Sequence, residues 1–276
     1  MLELLQYDFF QHALISTILI GISCGLVGTY IVSKRMVFIS GGITHASFGG
    51  LGLSYYFGLS PMLGATVFAL LSALGILFWG EQKKFREDSL IGIFWSAGMA
   101  IGILFIYLTP GYAPNIMSFL FGNILTVTKE QIILSTLLCL SIVLFFVLFF
   151  RPLFYTAFDK EYCKTHNIQS NWLEIGITII IACCIVLCLK LAGIILVISY
   201  MTIPQAIAGL FYKNFTQQLW ASAIISTIGS VIGLFLSATL NLPTGATIVV
   251  CFLKLFIGSW IFQQNRQKRG RMSKII

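Results

Sequence analysis

Nine stretches of about 20 mostly apolar residues follow one another along the chain, and they constrain the fold more than any other feature. A helix needs about 20 such residues to cross a bilayer. Only 9% of the 276 residues are charged, whereas a soluble domain carries about 25% charged residues. The pattern therefore predicts an all-α polytopic membrane protein. The stretches are approximately 9–33, 37–58, 61–79, 89–109, 131–150, 172–190, 191–210, 217–240 and 243–262.

Lys and Arg are concentrated in alternate connections between these stretches. The other connections hold only Lys129 and Lys190. Because cytoplasmic loops carry an excess of Lys and Arg, we predict nine spans with the N-terminus outside and the C-terminus in the cytoplasm. Eight spans and one re-entrant segment are the alternative. The loops account for the net charge of +8, so we expect membrane lipid and no nucleic acid as a partner. The basic connections are 33–35, 81–88, 151–171, 212–214 and the tail 263–276.

The whole chain, 1–276, is predicted to be one transmembrane domain, and two of its segments are neither spans nor simple turns. Pro110 and Pro114 break the helix after the fourth stretch, which leaves 115–125 as a short apolar helix at the outer membrane interface. The segment 151–171 is the longest polar connection and is predicted to face the cytoplasm. Long loops in compact proteins are usually functional.

No motif for ATP hydrolysis or other catalysis is present in the sequence. It contains no G-x-x-x-x-G-K-[ST] phosphate loop and no HExxH zinc motif. We therefore expect a transporter rather than an enzyme, powered by a partner or by an ion gradient. An ion-coupled secondary transporter would need ionisable groups within the membrane, and Glu174 and Lys254 are the interior candidates.

Five segments resemble, in order, signatures of the bacterial zinc/manganese-type ABC transporter permeases, the ABC-3 family. The first contains SGGITHA (40–46), where the family has Gly-Asp-x-x-Ser-His-Ala, and the third contains FDKEY (158–162). Any single segment is a weak match, but the five together cover nearly the whole chain. The segments are 27–58, 86–125, 158–168, 190–208 and 240–250.

This resemblance implies the type II ABC importer permease fold of cobalamin and siderophore importers. It implies a multi-pass homodimer in the bacterial cell membrane, two cytoplasmic ATPase subunits and an external metal-binding protein. The transported substrate would be a divalent ion of zinc, manganese or iron, with no permanently bound cofactor. The family also implies an outer gate helix at 115–125 and an ATPase-coupling loop at 151–171. The corresponding residues are Met117, Phe119, Phe121 and Asn123 for the gate, and Phe158, Asp159, Lys160, Glu161 and Tyr162 for coupling.

The candidate translocation site lies in the weakly hydrophobic second stretch, at Gly41, Thr44, His45 and Ser47. Imidazole is a suitable ligand for zinc and iron. Helical spacing places Gly41, His45 and Phe48 on one stripe. Because Gly41 stands where the family has Asp, we expect weak metal binding, and either a bare ion or a metal complex as the substrate. The alternative is a structural His45 that is hydrogen-bonded to a backbone carbonyl.

Six of the seven cysteines lie in apolar stretches, and their spacing indicates neither a disulfide framework nor a CxxC motif. Cys183, Cys184 and Cys188 form a cluster in the sixth stretch. Small buried thiols usually serve as packing residues, and this is the interpretation that we favour here. A thiolate metal site is the alternative.

Overall fold

The computed structural model describes residues 5–82, 85–110, 122, 124–158, 160–166 and 170–272, and within them it contains helices and no strand. A 3₁₀ turn lies at Ile124–Thr126. The α-helices are α1 Asp8–Ser33, α2 Phe38–Phe57, α3 Pro61–Glu81, α4 Glu87–Leu108, α5 Lys129–Leu148, α6 Phe150–Phe158, α7 Lys160–Thr165, α8 Ser170–Ala192, α9 Ile194–Tyr200, α10 Ile203–Phe211, α11 Phe215–Leu240 and α12 Thr244–Met272.

Eight helical segments of the described chain are long and apolar enough to cross a membrane; α9 and α10 together form one of them, Ile194–Phe211. Helix α2 has 20 residues but is not among the eight, because glycines and hydroxyl side chains lower its hydropathy. Close contacts nevertheless show that α2 runs parallel to α4 over most of its length: Gly42 lies beside Ile91, and Gly52 lies beside Gly102. Since α4 is one of the eight candidate spans, we expect α2 to cross the same layer. This geometry supports the prediction of nine spans over the re-entrant alternative.

The helix boundaries follow from local sequence signals. Pro61 occupies the first turn of α3, where its missing N–H has no consequence for the helix. Thr128 and Gln131 form a reciprocal capping box at the start of α5. Gly193, with φ of 79°, separates α8 from α9 in a conformation that residues with a side chain rarely adopt. Asn241 ends α11 in the left-handed region.

Glycines allow α2, α3 and α4 to pack with their backbones in close contact. A methyl group on Gly50 would overlap the carbonyl oxygen of Gly64 in α3, and one on Gly52 would overlap the backbone of Gly102 in α4. Small residues permit this close approach of helices in lipid, where burial of apolar surface alone gives little driving force. The three helices therefore form one tightly packed unit, which carries the candidate site.

Two predicted segments have more regular structure than the sequence indicates. The 151–171 connection contains all of α6 except its first residue, all of α7 and the start of α8, and the basic tail continues α12 as far as Met272. The gate residues, in contrast, cannot be placed. Met117, Phe119, Phe121 and Asn123 lie outside the described residues, so their role stays a prediction.

Candidate functional site

His45 lies on α2 under the indole ring of Trp95, which belongs to α4. The two rings are stacked, with their centroids 4.2 Å apart and their planes inclined by 10°. The His45 side chain is half-buried, and its Nδ1 atom is buried without a hydrogen-bond partner in the part of the chain that the structure describes. Buried polar atoms are almost always paired, so an unpaired ring nitrogen is a good candidate for a ligand atom. At Nδ1, the structural alternative of a hydrogen bond to a carbonyl is not observed.

Thr44 and Ser47 use their hydroxyl groups within their own helix. Thr44 donates a hydrogen bond to the carbonyl oxygen of Ser40 over 2.5 Å, and Ser47 donates one to the carbonyl oxygen of Thr44 over 2.6 Å. Both side chains are fully buried. Ser and Thr hydroxyl groups inside a helix commonly donate a hydrogen bond to a carbonyl oxygen of the preceding turn, as these two do. Of the three polar candidates on α2, His45 is thus the one with an unpaired atom.

Trp95 also fills the space beside Gly41. This is the position at which the family signature has Asp. A methyl group on Gly41 would lie 3.2 Å from the Trp95 ring and 3.4 Å from the end of the Ile198 side chain. Trp95 was not identified from the sequence, because helical spacing within α2 does not reveal which residues of α4 face it. The predicted stripe faces α4, since Gly41 and His45 lie beside Trp95 and Phe48 lies beside Gly102.

A buried ion pair joins the end of α1 to the start of α8. The Lys34 ammonium lies 3.0 Å from the Glu174 carboxylate, and the two side chains are 13% and 3% exposed. The Lys34 nitrogen is also 5.5 Å from the centre of the Tyr30 ring. Burial alone would lower the pKa of Lys34, but Tyr30 and Glu174 outweigh it and the pKa is raised. Glu174 is therefore already paired, which weakens the interpretation that it couples transport to an ion gradient.

The predicted coupling residues lie on two separate helices. Phe158, 57% exposed, ends α6, and its ring centroid is 4.9 Å from that of Phe154 and 5.7 Å from that of Phe215. Tyr162 lies in α7 and stacks on Tyr155 and His166, with centroids 4.6 and 3.9 Å apart.

Phe158 and Tyr162 thus pack against different aromatic neighbours, and their role in ATPase coupling stays a prediction. Asp159 lies outside the described residues, as do the side chains of Lys160 and Glu161. Helix α6 is nevertheless well anchored to the bundle: the side chain of Leu153 is buried, and the Tyr30 and Thr156 hydroxyl groups are 3.4 Å apart. An exposed Phe158 thus sits on a helix that is fixed to α1.

Comparisons with known proteins give the same family along almost the whole chain. The chain is 38% identical over 264 residues to an uncharacterized membrane protein of Synechocystis sp., covering 96% of this chain and 94% of that one. It is 29% identical over 277 residues to the manganese transport system membrane protein MntC of Halalkalibacterium halodurans, covering 99% and 95%. Among solved structures, PsaBC from Streptococcus pneumoniae in complex with Fab matches with a TM-score of 0.81 and 30% identity, covering 93% and 92%.

The model of the ABC 3 transport family matches residues 6–263. This range includes all of α1 to α11 and the first part of α12, up to residue 263. It also includes the stacked pair His45 and Trp95. The resemblance that five short segments indicated thus holds for the chain as a whole, which belongs to the ABC 3 transport family as one of its membrane permeases.

Proposed function

We propose that the chain is the permease subunit of an importer for a divalent first-row metal ion, of which manganese, zinc and iron are the candidates. The observation that carries the proposal is the unpaired Nδ1 atom of His45 beneath Trp95, in the helix that bears the family signature. The manganese transport name of the MntC relative supports the same substrate class. An alternative substrate is a complex of such a metal.

Metal binding at His45 should be weak. A neutral imidazole is a ligand of intermediate softness. It supplies one donor atom, whereas a metal ion of this class requires four to six. In the described part of α2 no carboxylate accompanies the imidazole, because the family position of Asp is Gly41. Weak binding favours release into the cell, and it leaves the choice of metal to the external binding protein.

The energy for transport is proposed to come from separate ATPase subunits on the cytoplasmic side. With nine crossings, the Lys- and Arg-rich connections would all lie on one face of the membrane, and the positive-inside rule predicts that this face is cytoplasmic, with the N-terminus outside and the C-terminus inside. The pair α6 and α7 lies on that same face, between α5 and α8. Among the described aromatic residues of α6, Phe158 is the most exposed, at 57%, and it can insert into a partner.

A second copy of the permease would explain an unusual charge on α12. Lys254 is exposed near the middle of this helix, ten residues after its first residue, Thr244. Such a position is about 15 Å into the membrane, and charged side chains at that depth face protein or water rather than lipid. Only 17% of the apolar window of α12 is buried within one chain. We therefore propose a homodimer in which α12 borders the partner or a hydrated pathway between the two copies.

The proposed function is tested with the permease purified together with its ATPase subunit and reconstituted into liposomes with the external binding protein. We expect ATP-dependent uptake of Mn²⁺, Zn²⁺ or Fe²⁺, and no uptake without ATP. Uptake of only a chelated metal would identify the complex as the substrate. Uptake driven by a proton or sodium gradient without the ATPase would contradict the proposal. The mass of the purified assembly gives the number of permease copies.

Replacement of Phe158 by Asp should uncouple ATP hydrolysis from transport while the permease remains folded. The side chain is exposed at the end of α6, so a charge there disturbs a docked partner more than it disturbs the bundle. The measurement is the number of metal ions imported per ATP hydrolysed. Phe85→Asp is the matched control, since Phe85 is exposed in another cytoplasmic connection. Equal coupling ratios in the two variants would exclude Phe158 from the ATPase contact.

A further inference from the structure

Three cysteines from two helices converge inside the bundle. Cys24 of α1 has its sulfur 3.2 Å from that of Cys188 and 4.0 Å from that of Cys184, both in α8. All three sulfurs lie within 4.8 Å of one another, and all three side chains are buried. The sequence cluster is thus corrected by the structure: the half-buried Cys183 is not part of it, and Cys24, 160 residues from Cys184, takes its place.

The spacing of the sulfurs fits a bound metal ion. Zinc–sulfur bonds are about 2.3 Å long, so three sulfurs around one ion in a plane are about 4.0 Å apart. The distances of 3.2 and 4.0 Å lie close to this value. Small side-chain rotations that move each sulfur by a few tenths of an ångström would therefore be enough to place the three sulfurs around an ion.

The surroundings of the thiols provide both rigidity and room for a further ligand. The side-chain amide of Gln205 donates hydrogen bonds to the carbonyl oxygens of Cys24, over 3.0 Å, and of Tyr200, over 3.1 Å. Its own Oε1 atom is buried without a partner in the described structure. A narrow cleft with a volume of about 10 Å³ reaches Cys184 and Cys188 and is also lined by the hydroxyl residues Ser23 and Ser135. This volume is at the lower limit for one water molecule, which can complete a zinc coordination shell.

We propose that Cys24, Cys184 and Cys188 bind a thiophilic divalent ion of the Zn²⁺ and Cd²⁺ class. Each metal–sulfur bond forms as its thiol releases a proton to solvent. Three thiolates leave one net negative charge around a divalent ion and two around a monovalent ion such as Cu⁺. Because buried net charge is costly, the divalent ion is favoured. The site uses none of the residues around His45, and its ligands would fasten α1 to α8 within the membrane.

The test is a titration of the purified permease–ATPase complex with Cd²⁺, followed by the ultraviolet thiolate-to-cadmium charge-transfer band. We expect a band that saturates at one Cd²⁺ per permease chain, that Zn²⁺ suppresses, and that Cys24→Ser removes. Cys183→Ser is the matched control and should keep the full band, because Cys183 adjoins the cluster in sequence but is not part of it. His45→Ala should also keep it. The readout does not use transport, so it is independent of the proposed function.

Absence of the band from the unsubstituted complex would overturn the proposal, as would an undiminished band in Cys24→Ser. If Cys24→Ser does not accumulate in the membrane, Cys188→Ala provides the same comparison with loss of the sulfur alone. Loss of the band in both Cys183→Ser and Cys188→Ala would place the metal elsewhere on α8 and would also reject this ligand set.

Discussion

Replacement of His45 by Ala should reduce metal uptake by more than about tenfold while leaving the amount of permease in the membrane unchanged. Even residues that only support a metal ligand typically change affinity or activity by about 10- to 100-fold when they are substituted. The unpaired Nδ1 atom of His45 is a candidate ligand itself. The measurement is metal uptake, followed with a radioactive isotope or a fluorescent metal probe, divided by the abundance of the permease in the same membranes.

Two matched variants separate a ligand role from a packing role. His45→Phe keeps an aromatic ring to stack on Trp95 but removes the nitrogens, so it should fold normally and fail to transport. Thr44→Val removes a hydroxyl group that bonds only to its own helix, and uptake should stay within about twofold. Normal transport by a well-expressed His45→Phe variant would show that His45 does not act in the pathway. The proposed substrate class would then lose its main support.

Replacement of Glu174 by Gln should lower the free energy of unfolding by about 3 kcal/mol. The change leaves the Lys34 ammonium largely buried, and within the described residues the Tyr30 ring is the favourable contact that remains. Breaking a buried ion pair from one side is far more costly than removing both partners. The measurement is denaturant unfolding of the purified permease in detergent, together with its abundance in the membrane.

The double variant Lys34→Met/Glu174→Leu tests whether the cost arises from the unpaired charge. It removes both charges and keeps similar side-chain volumes, so it should recover most of the lost stability. A double variant as unstable as the two single variants added together would show that the pair does not interact. The prediction would then fail, and with it the view that this pair joins α1 to α8.

The apolar spans were predictable because hydropathy is a property of each segment by itself. Even α2, with the weakest signal, was identified from its length and its position between polar connections, and the structure places it beside α4. The contacts that define the sites were not predictable. Trp95 over His45, Lys34 with Glu174 and Cys24 beside Cys188 depend on how different helices are placed against each other. No spacing along one helix contains that information.

The different ring contacts of Phe158 and Tyr162 could not be predicted for a related reason. Residues four apart share a face only while the helix continues. The described chain has α6 end at Phe158 and α7 begin at Lys160, and the two rings then pack against different aromatic neighbours. Acidic residues such as Asp159 and Glu161 favour the start of a helix here, but they do not indicate which neighbours the two rings contact.

If His45 lines the proposed pathway, the close packing of α2 against α3 and α4 restricts how access to it can alternate between the two sides of the membrane. Backbones that touch at Gly50 and Gly64, and at Gly52 and Gly102, leave no space for one helix to slide along another. The three helices must move together, as a rigid body that tilts or rotates against the rest of the bundle. His45 and Trp95 travel in the same body, so their stacking should persist in inward- and outward-open states alike.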